Sequence, residues 1–146
     1  MKLLEILPAT GSTVFSIEPA ATLSEVVAEL MRKKCGALVV CEGDSMVGII
    51  TERDILRACS ENGDRLGELN VHQYMTANVV TGTPADDINN AMSLMTQRRI
   101  RHLPVLEGGK LAGMISIGDL VKAHAEALAQ ENHQLRSYIQ TGAGES

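Results

Sequence analysis

Apolar positions along the 146-residue chain follow one pattern that is used twice. Leu23, Val26, Val27, Leu30 and Met31 recur at helical spacing, behind Thr22 and Glu25 in capping-box arrangement. A helix is expected there. The run Ala37–Cys41 is apolar without alternation, which predicts a short strand buried on both faces. Glu42-Gly43-Asp44-Ser45 is turn chemistry, and Met46–Thr51 returns as the second arm of a hairpin. A second helix opens at Glu52 and is stopped by Asn62-Gly63. The same order follows later: Asp87 as cap for Ile88, Ala91, Met92 and Met95, then His102–Leu106, the turn Glu107-Gly108-Gly109-Lys110, Leu111–Ser116, and a helix from Ile117.

Sliding the chain by 65 positions lays residues 14–59 on 79–124 without a gap, and 11 of those 46 pairs are identical. Pro19/Pro84, Gly43/Gly108, Gly48/Gly113 and Asp54/Asp119 are among them. With a short strand before each proline, the pattern predicts an α+β fold of two β-α-β-β-α repeats. Neither repeat buries enough apolar surface by itself, so the two are expected to pack as one module. Its parts are residues 14–62, a connector at 63–78, residues 79–124, and a C-terminal helix and tail at 125–146, with Thr141–Ser146 as a frayed end.

Composition narrows the function classes. Hydrophobic residues make up 45% and aromatic ones 2% (Phe15, Tyr74 and Tyr138, with no Trp), so the core is aliphatic and bases have few platforms to stack on. A net charge of −5 and a pI near 5.3 also oppose a nucleic-acid polymer. No apolar run approaches the ~20 residues of a membrane span. Glu5 and Pro8 interrupt any signal-like segment at the N-terminus. Cys35, Cys41 and Cys59 are odd in number without C-x-x-C spacing, as expected of buried thiols in a reducing compartment. The expected location is cytoplasmic.

The segments GIITERD at 48–54 and GMISIGD at 113–119 carry the candidate chemistry. Thr51-x-x-Asp54 and Ser116-x-x-Asp119 fit N-terminal capping boxes. They equally fit a nucleotide site: the free N–H groups and positive dipole of a helix start suit a phosphate beside the hydroxyl, and an aspartate one turn on accepts ribose hydroxyls. Spacing alone leaves both open. His72, His102, His124 and His133 lack metal-ligand spacing, so no metal is expected. No P-loop, nucleophile elbow or nucleophile–base pair is present, so no catalytic residue is assigned.

GIITERD, GMISIGD and HLPV at 102–105, repeated at a fixed offset, resemble the CBS (cystathionine-β-synthase) domain family, and Met75-Thr76 is similar to the usual entry to such a unit. The resemblance covers about residues 14–124 and implies a CBS pair, or Bateman module, of pseudo-twofold symmetry with two clefts for adenosyl ligands (AMP, ADP, ATP, NAD(H) or S-adenosylmethionine). It implies Asp54 and Asp119 on ribose, Thr51 and Ser116 on phosphate, and main chain at Ala37, Val39, Leu103 and Pro104 reading adenine. The copies differ. Arg53 has Gly118 as counterpart, and Arg101 and His102 replace Gly36 and Ala37. Arg53, Arg101 and His102 are therefore candidate phosphate contacts, whereas Arg98 and Arg99 suit a solvated helix end. Two sites of unequal affinity or ligand choice are expected.

Beyond the repeats, Val121, Ala125, Leu128, Asn132, Leu135 and Ile139 follow seam-like spacing. Such a helix either docks on its own module or contacts a second subunit, and the resemblance favours a homodimer. The function implied is a regulatory adenine-nucleotide sensor, not an enzyme, read by an unidentified protein partner. The alternative is a ligand-free interaction and dimerisation module.

Overall fold

The structure is a computed structural model that describes residues 1–7 and 14–145. It opens with a one-turn helix, α1 (Leu3–Ile6), and the first repeat follows as β1 (Ser16–Ile17), α2 (Leu23–Lys33), β2 (Ala37–Glu42), β3 (Ser45–Thr51) and α3 (Glu52–Asn62). Strand β1 pairs parallel to β2, which forms the hairpin with β3. The expected capping box starts α2: the Glu25 amide donates to Thr22 Oγ1 at 3.2 Å, and the Thr22 amide to the Glu25 carboxylate. Leu23, Val26 and Leu30 face inward against Leu38, Val40 and Ile50. Met31, expected on that stripe, is instead 75% exposed, because the buried arc of α2 ends at Leu30. Residues 37–40 are buried throughout, as their unbroken apolar run predicts.

The connector is ordered: a 3-10 turn (Leu66–Glu68) leads to α4 (Val71–Tyr74). The second repeat then runs α5 (Ile88–Arg98), β4 (His102–Glu107), β5 (Lys110–Ser116) and α6 (Ile117–Glu145). Asp87 caps α5 by accepting from the Asn89 amide at 2.9 Å. The strand expected before Pro84 does not form. Gly82 makes only a parallel bridge to Val105, the counterpart of Ile17 on Val40. Glycine brings no side chain to that position, and Leu3 fills the place: a Cβ on Gly82 would lie 3.1 Å from Leu3 Cδ1.

Leu3 reaches that place because the two one-turn helices are exchanged between the repeats. The α1 amides of Leu3 and Leu4 donate to Asp86 and Pro84, both in the second repeat. The α4 amides of Val71 and His72 donate to Ala21 and Pro19 in the first. Leu3, Ile6 and Leu7 thus join the core of Ile88, Leu103 and Ile115, and Val71 joins the other core. Each helix is followed by a side chain lying on a strand glycine, where a Cβ would come within 2.7 Å of Leu7 at Gly113 and 2.8 Å of Met75 at Gly48. These contacts explain why both hairpins carry a glycine at the same place.

Helix α6 runs unbroken through Glu145, across the stretch from Thr141 that was expected to fray; Ser146 lies outside the described residues. Val121, Leu128 and Leu135 are 51%, 47% and 53% exposed, so docking of the seam onto its own module does not occur; the Ile139 side chain lies outside the described residues. The cysteines are less buried than expected. Cys35 and Cys41 are half-buried and Cys59 lies on the solvent face of α3, all three as free thiols. Among the described residues no helix is long and apolar enough to cross a membrane.

Candidate functional site

Both motif helices begin in the geometry their sequences predict. The Thr51 amide donates to Asp54 Oδ2 at 2.9 Å and the Asp54 amide to Thr51 Oγ1 at 3.4 Å. Ser116 and Asp119 repeat the pair at 2.9 and 3.1 Å. The next amide, Glu52 or Ile117, donates to the carbonyl just before the strand, Gly36 or Arg101. These bonds satisfy most of the first turn and leave the Arg53 and Gly118 amides without an acceptor among the described residues. Capping and ligand binding are therefore compatible at each helix start. Asp54 is buried, and its second carboxylate oxygen lies 3.5 Å from Arg57, which donates in turn to the Tyr74 carbonyl. The equivalent of Arg57 is Lys122, and no ion pair to Asp119 is formed there.

Each motif faces a cavity whose other wall comes from the opposite repeat. The first, of about 400 Å³, is lined by Thr51, Arg53 and Asp54, then by Thr76, Asn78, Val79 and Val80, and then by Arg99, Ile100, Arg101 and His102. The second, of about 380 Å³, is lined by Ser116, Asp119 and Met114 on one side and by Val14, Phe15 and Lys34–Ala37 on the other. Because of this crossing, Arg101 and His102 face Thr51 and Asp54, and His102 also lines the cleft of its own repeat's motif. Arg53 donates to the Arg99 carbonyl at 3.3 Å, tying the two repeats across the first cleft. Three arginines (53, 99 and 101) line that cleft, against Lys34 alone among lysines and arginines in the second.

Arg99 is exposed at the C-cap of α5, the solvated helix end expected of it, and the turn there also sets it on the rim of the first cleft. Arg99 and its counterpart Lys34 each close their helix in the left-handed region, with φ of 55° and 53°. Non-glycine residues there are uncommon and occur at turns that must reverse tightly. Ala37 lines the second cleft, whereas Val39, Leu103 and Pro104 line neither. The Val39 amide already donates to Phe15, Leu103 pairs with Ile115 inside the sheet, and the Pro104 carbonyl accepts from Gly82. Asn78 at the end of the connector and the first residues of each repeat, Val79-Val80 and Val14-Phe15, line the clefts instead. Their signal in the sequence is Val79-Val80 aligned on Val14-Phe15, a match of apolar character without any chemical mark.

His102 and Gly36 are common to both cavities, and His102 alone of the two brings a side chain. The His102 ring packs 3.3 Å from where a Cβ would stand on Gly36. Burial holds its imidazole below the usual value, against the opposite pull of Glu52 and Asp119. Arg101 lowers it further.

Comparison with known proteins accounts for this duplicated architecture. The CBS domain family matches the chain over residues 10–61 and 71–126. The CBS domain-containing protein CBSX3, mitochondrial, of Arabidopsis thaliana is 39% identical over 126 residues, covering 83% of this chain; the chain spans only 61% of that relative's length. The CBS-domain containing protein ATU1752 from Agrobacterium tumefaciens has 37% identity and a TM-score of 0.82, over 85% of this chain and 99% of that one. The CBS domain protein PAE2072 from Pyrobaculum aerophilum, solved in complex with AMP, has 28% identity and a TM-score of 0.73, over 82% of this chain and 89% of that one. Two matched segments, two motif helices and two crossed clefts lead to one assignment: the chain belongs to the CBS domain family and carries its domain as a tandem pair.

Proposed function

We propose that this CBS pair is a regulatory module that binds an adenine nucleotide of the AMP, ATP or NAD(H) type between its repeats. The observation that carries this reading is the first cleft. There a helix start with an open amide at Arg53 faces a cavity of about 400 Å³ ringed by Arg53, Arg99 and Arg101. Helix N-termini and guanidinium groups both favour phosphate. Asp54 and Asp119 accept ribose hydroxyls, and Thr51 and Ser116 meet the first phosphate. Arg53, Arg101 and His102 complete the phosphate contacts of the first cleft. Adenine lies against the apolar wall, formed by Ile49, Val79, Val80 and Ile100 in the first cleft and by Val14 and Phe15 beside Ala37 in the second. The AMP complex of PAE2072 supports this ligand class.

The clefts are unequal in this reading. Arg53, Arg99 and Arg101 favour the more highly phosphorylated ligand in the first, while Gly118 in place of Arg53 leaves the second with less charge. Calorimetric titration with AMP and with ATP is expected to resolve two affinities, with the tighter one weakened by Arg53→Gln. Two identical, independent sites would overturn the inequality, and no heat of binding with AMP, ATP or NAD(H) would overturn the nucleotide reading.

The signal leaves the module through assembly. The exposed row Val121, Leu128 and Leu135 on α6 is apolar surface that a second copy can cover, with Asn132 between them setting register. Ligand occupancy then acts by favouring one arrangement of the repeats or of the dimer, in proportion to its differential affinity for the two. Removing residues 128–146 is expected to halve the mass measured by sedimentation equilibrium. An unchanged mass would exclude this helix from the dimer.

A further inference from the structure

We propose that His102 couples the two clefts, so that filling the first with a phosphate-bearing ligand raises the affinity of the second for another. The inference rests on the nucleotide reading above and adds a linkage between its sites.

The geometry places one ring on two walls. His102 begins β4, and its main chain stands opposite Ser116, the phosphate-side hydroxyl of the second motif. Its ring packs on Gly36 of the first repeat, with Cε1 and Nε2 both 3.3 Å from an imagined Cβ there. The Gly36 carbonyl receives the first amide of α3, from Glu52, at 3.1 Å. The Arg101 carbonyl, directly before His102, receives the first amide of α6 at 2.8 Å. One residue thus touches the segment that caps one motif helix and adjoins the segment that caps the other. The equivalent position in the first repeat is Ala37, which has no titratable group, so the connection runs through a single imidazole.

Charge gives the connection its sign. The groups acting on the ring are Glu52 at the start of α3, Asp119 in the first turn of α6, and Arg101 beside it on its own segment. Without ligand, burial favours the neutral ring. A phosphate in the first cleft favours the imidazolium, because an opposite charge nearby stabilises the charged form. That cation also lines the second cleft, where it attracts a second phosphate. Binding to the first cleft therefore takes up a proton at pH values between the ring's ligand-free and ligand-bound titrations, and the effect is reciprocal because linkage is.

The probe is AMP, followed by calorimetry and by the nitrogen-15 signals of the histidine rings, with the Arg53 and Gly118 amides reporting which cleft is filled. The second cleft is measured alone in Asp54→Asn and beside a filled first cleft in the wild type. It is expected to bind AMP about fivefold or more tightly in the latter. His102→Gln should remove that difference, and Gly36→Ala, which crowds the ring but retains it, should reduce it. In the wild type the His102 ring is expected to titrate at higher pH with AMP than without. Equal affinities in the two backgrounds, or an unmoved His102 titration, overturn the coupling and leave the nucleotide reading intact. Absence of AMP binding in the wild type overturns both.

Discussion

Leu3→Ala is expected to lower the free energy of unfolding by about 2–5 kcal/mol, although Leu3 lies outside both matched repeats. Leu3 is fully buried in the core of the second repeat, beside Leu103 and Ile115. Truncating it removes the isopropyl end of the side chain from the space beside Gly82, a residue with no side chain to move in. Leu4, its neighbour on α1, is 57% exposed and serves as the control. Leu4→Ala should change stability by no more than about 0.5 kcal/mol. Urea unfolding at constant slope measures both. A loss at Leu3 as small as that at Leu4 would mean that α1 does not hold the second repeat together in solution.

Asp54→Ala combined with Asp119→Ala is expected to abolish stabilisation by adenine nucleotides. A ligand at a hundred times its dissociation constant adds about 2.7 kcal/mol, or roughly 5–10 °C in Tm for a chain of this size. The double variant should show none of that increment in a thermal-shift series with AMP, ATP and NAD(H). It also loses both capping boxes, each worth about 1 kcal/mol, so its unliganded Tm should fall as well. The pair Asp54→Asn and Asp119→Asn separates the effects, because asparagine retains an acceptor for the Thr51 and Ser116 amides while losing the charge. If the alanine variant still gains full stability from nucleotide, neither aspartate holds the ligand.

Most of the fold is legible in the sequence because local chemistry determines it. Thr22 with Glu25, Asp87, and the two motif boxes each mark a helix start by side-chain bonds to amides two or three residues away, and all four form. The unbroken apolar run at 37–40 predicts burial on both faces, and the sheet supplies it. The site is only half legible. Thr51, Asp54, Ser116 and Asp119, which line the two clefts, are legible because hydroxyl, carboxylate and helix start fall within the first turn of one element. Arg99 and residues 78–80 are missed, since they reach the first cleft by a turn and a chain crossing that leave no periodic mark. Val39, Leu103 and Pro104, expected to read adenine through their main chain, line neither cleft, and strand pairing engages that main chain.

The exchanged short helices lay beyond pattern reading. Leu3/Val71 and Leu7/Met75 are equivalent at an offset of 68, whereas the repeats align at 65, and residues 2–7 share no identity with 70–75. A one-turn helix of two or three buried side chains has too few positions to establish a period. By itself, then, the sequence determined a duplicated α+β unit with an aliphatic core, its capped helices, and two hydroxyl–carboxylate motifs at helix starts. Those depend on residues within a few positions of one another. Only the tertiary structure decided which repeat completes which cleft, and therefore that three arginines gather on one side and a single histidine stands between the two. Such groupings arise from packing across the approximate twofold axis, where residues distant in sequence meet without any local propensity to announce it.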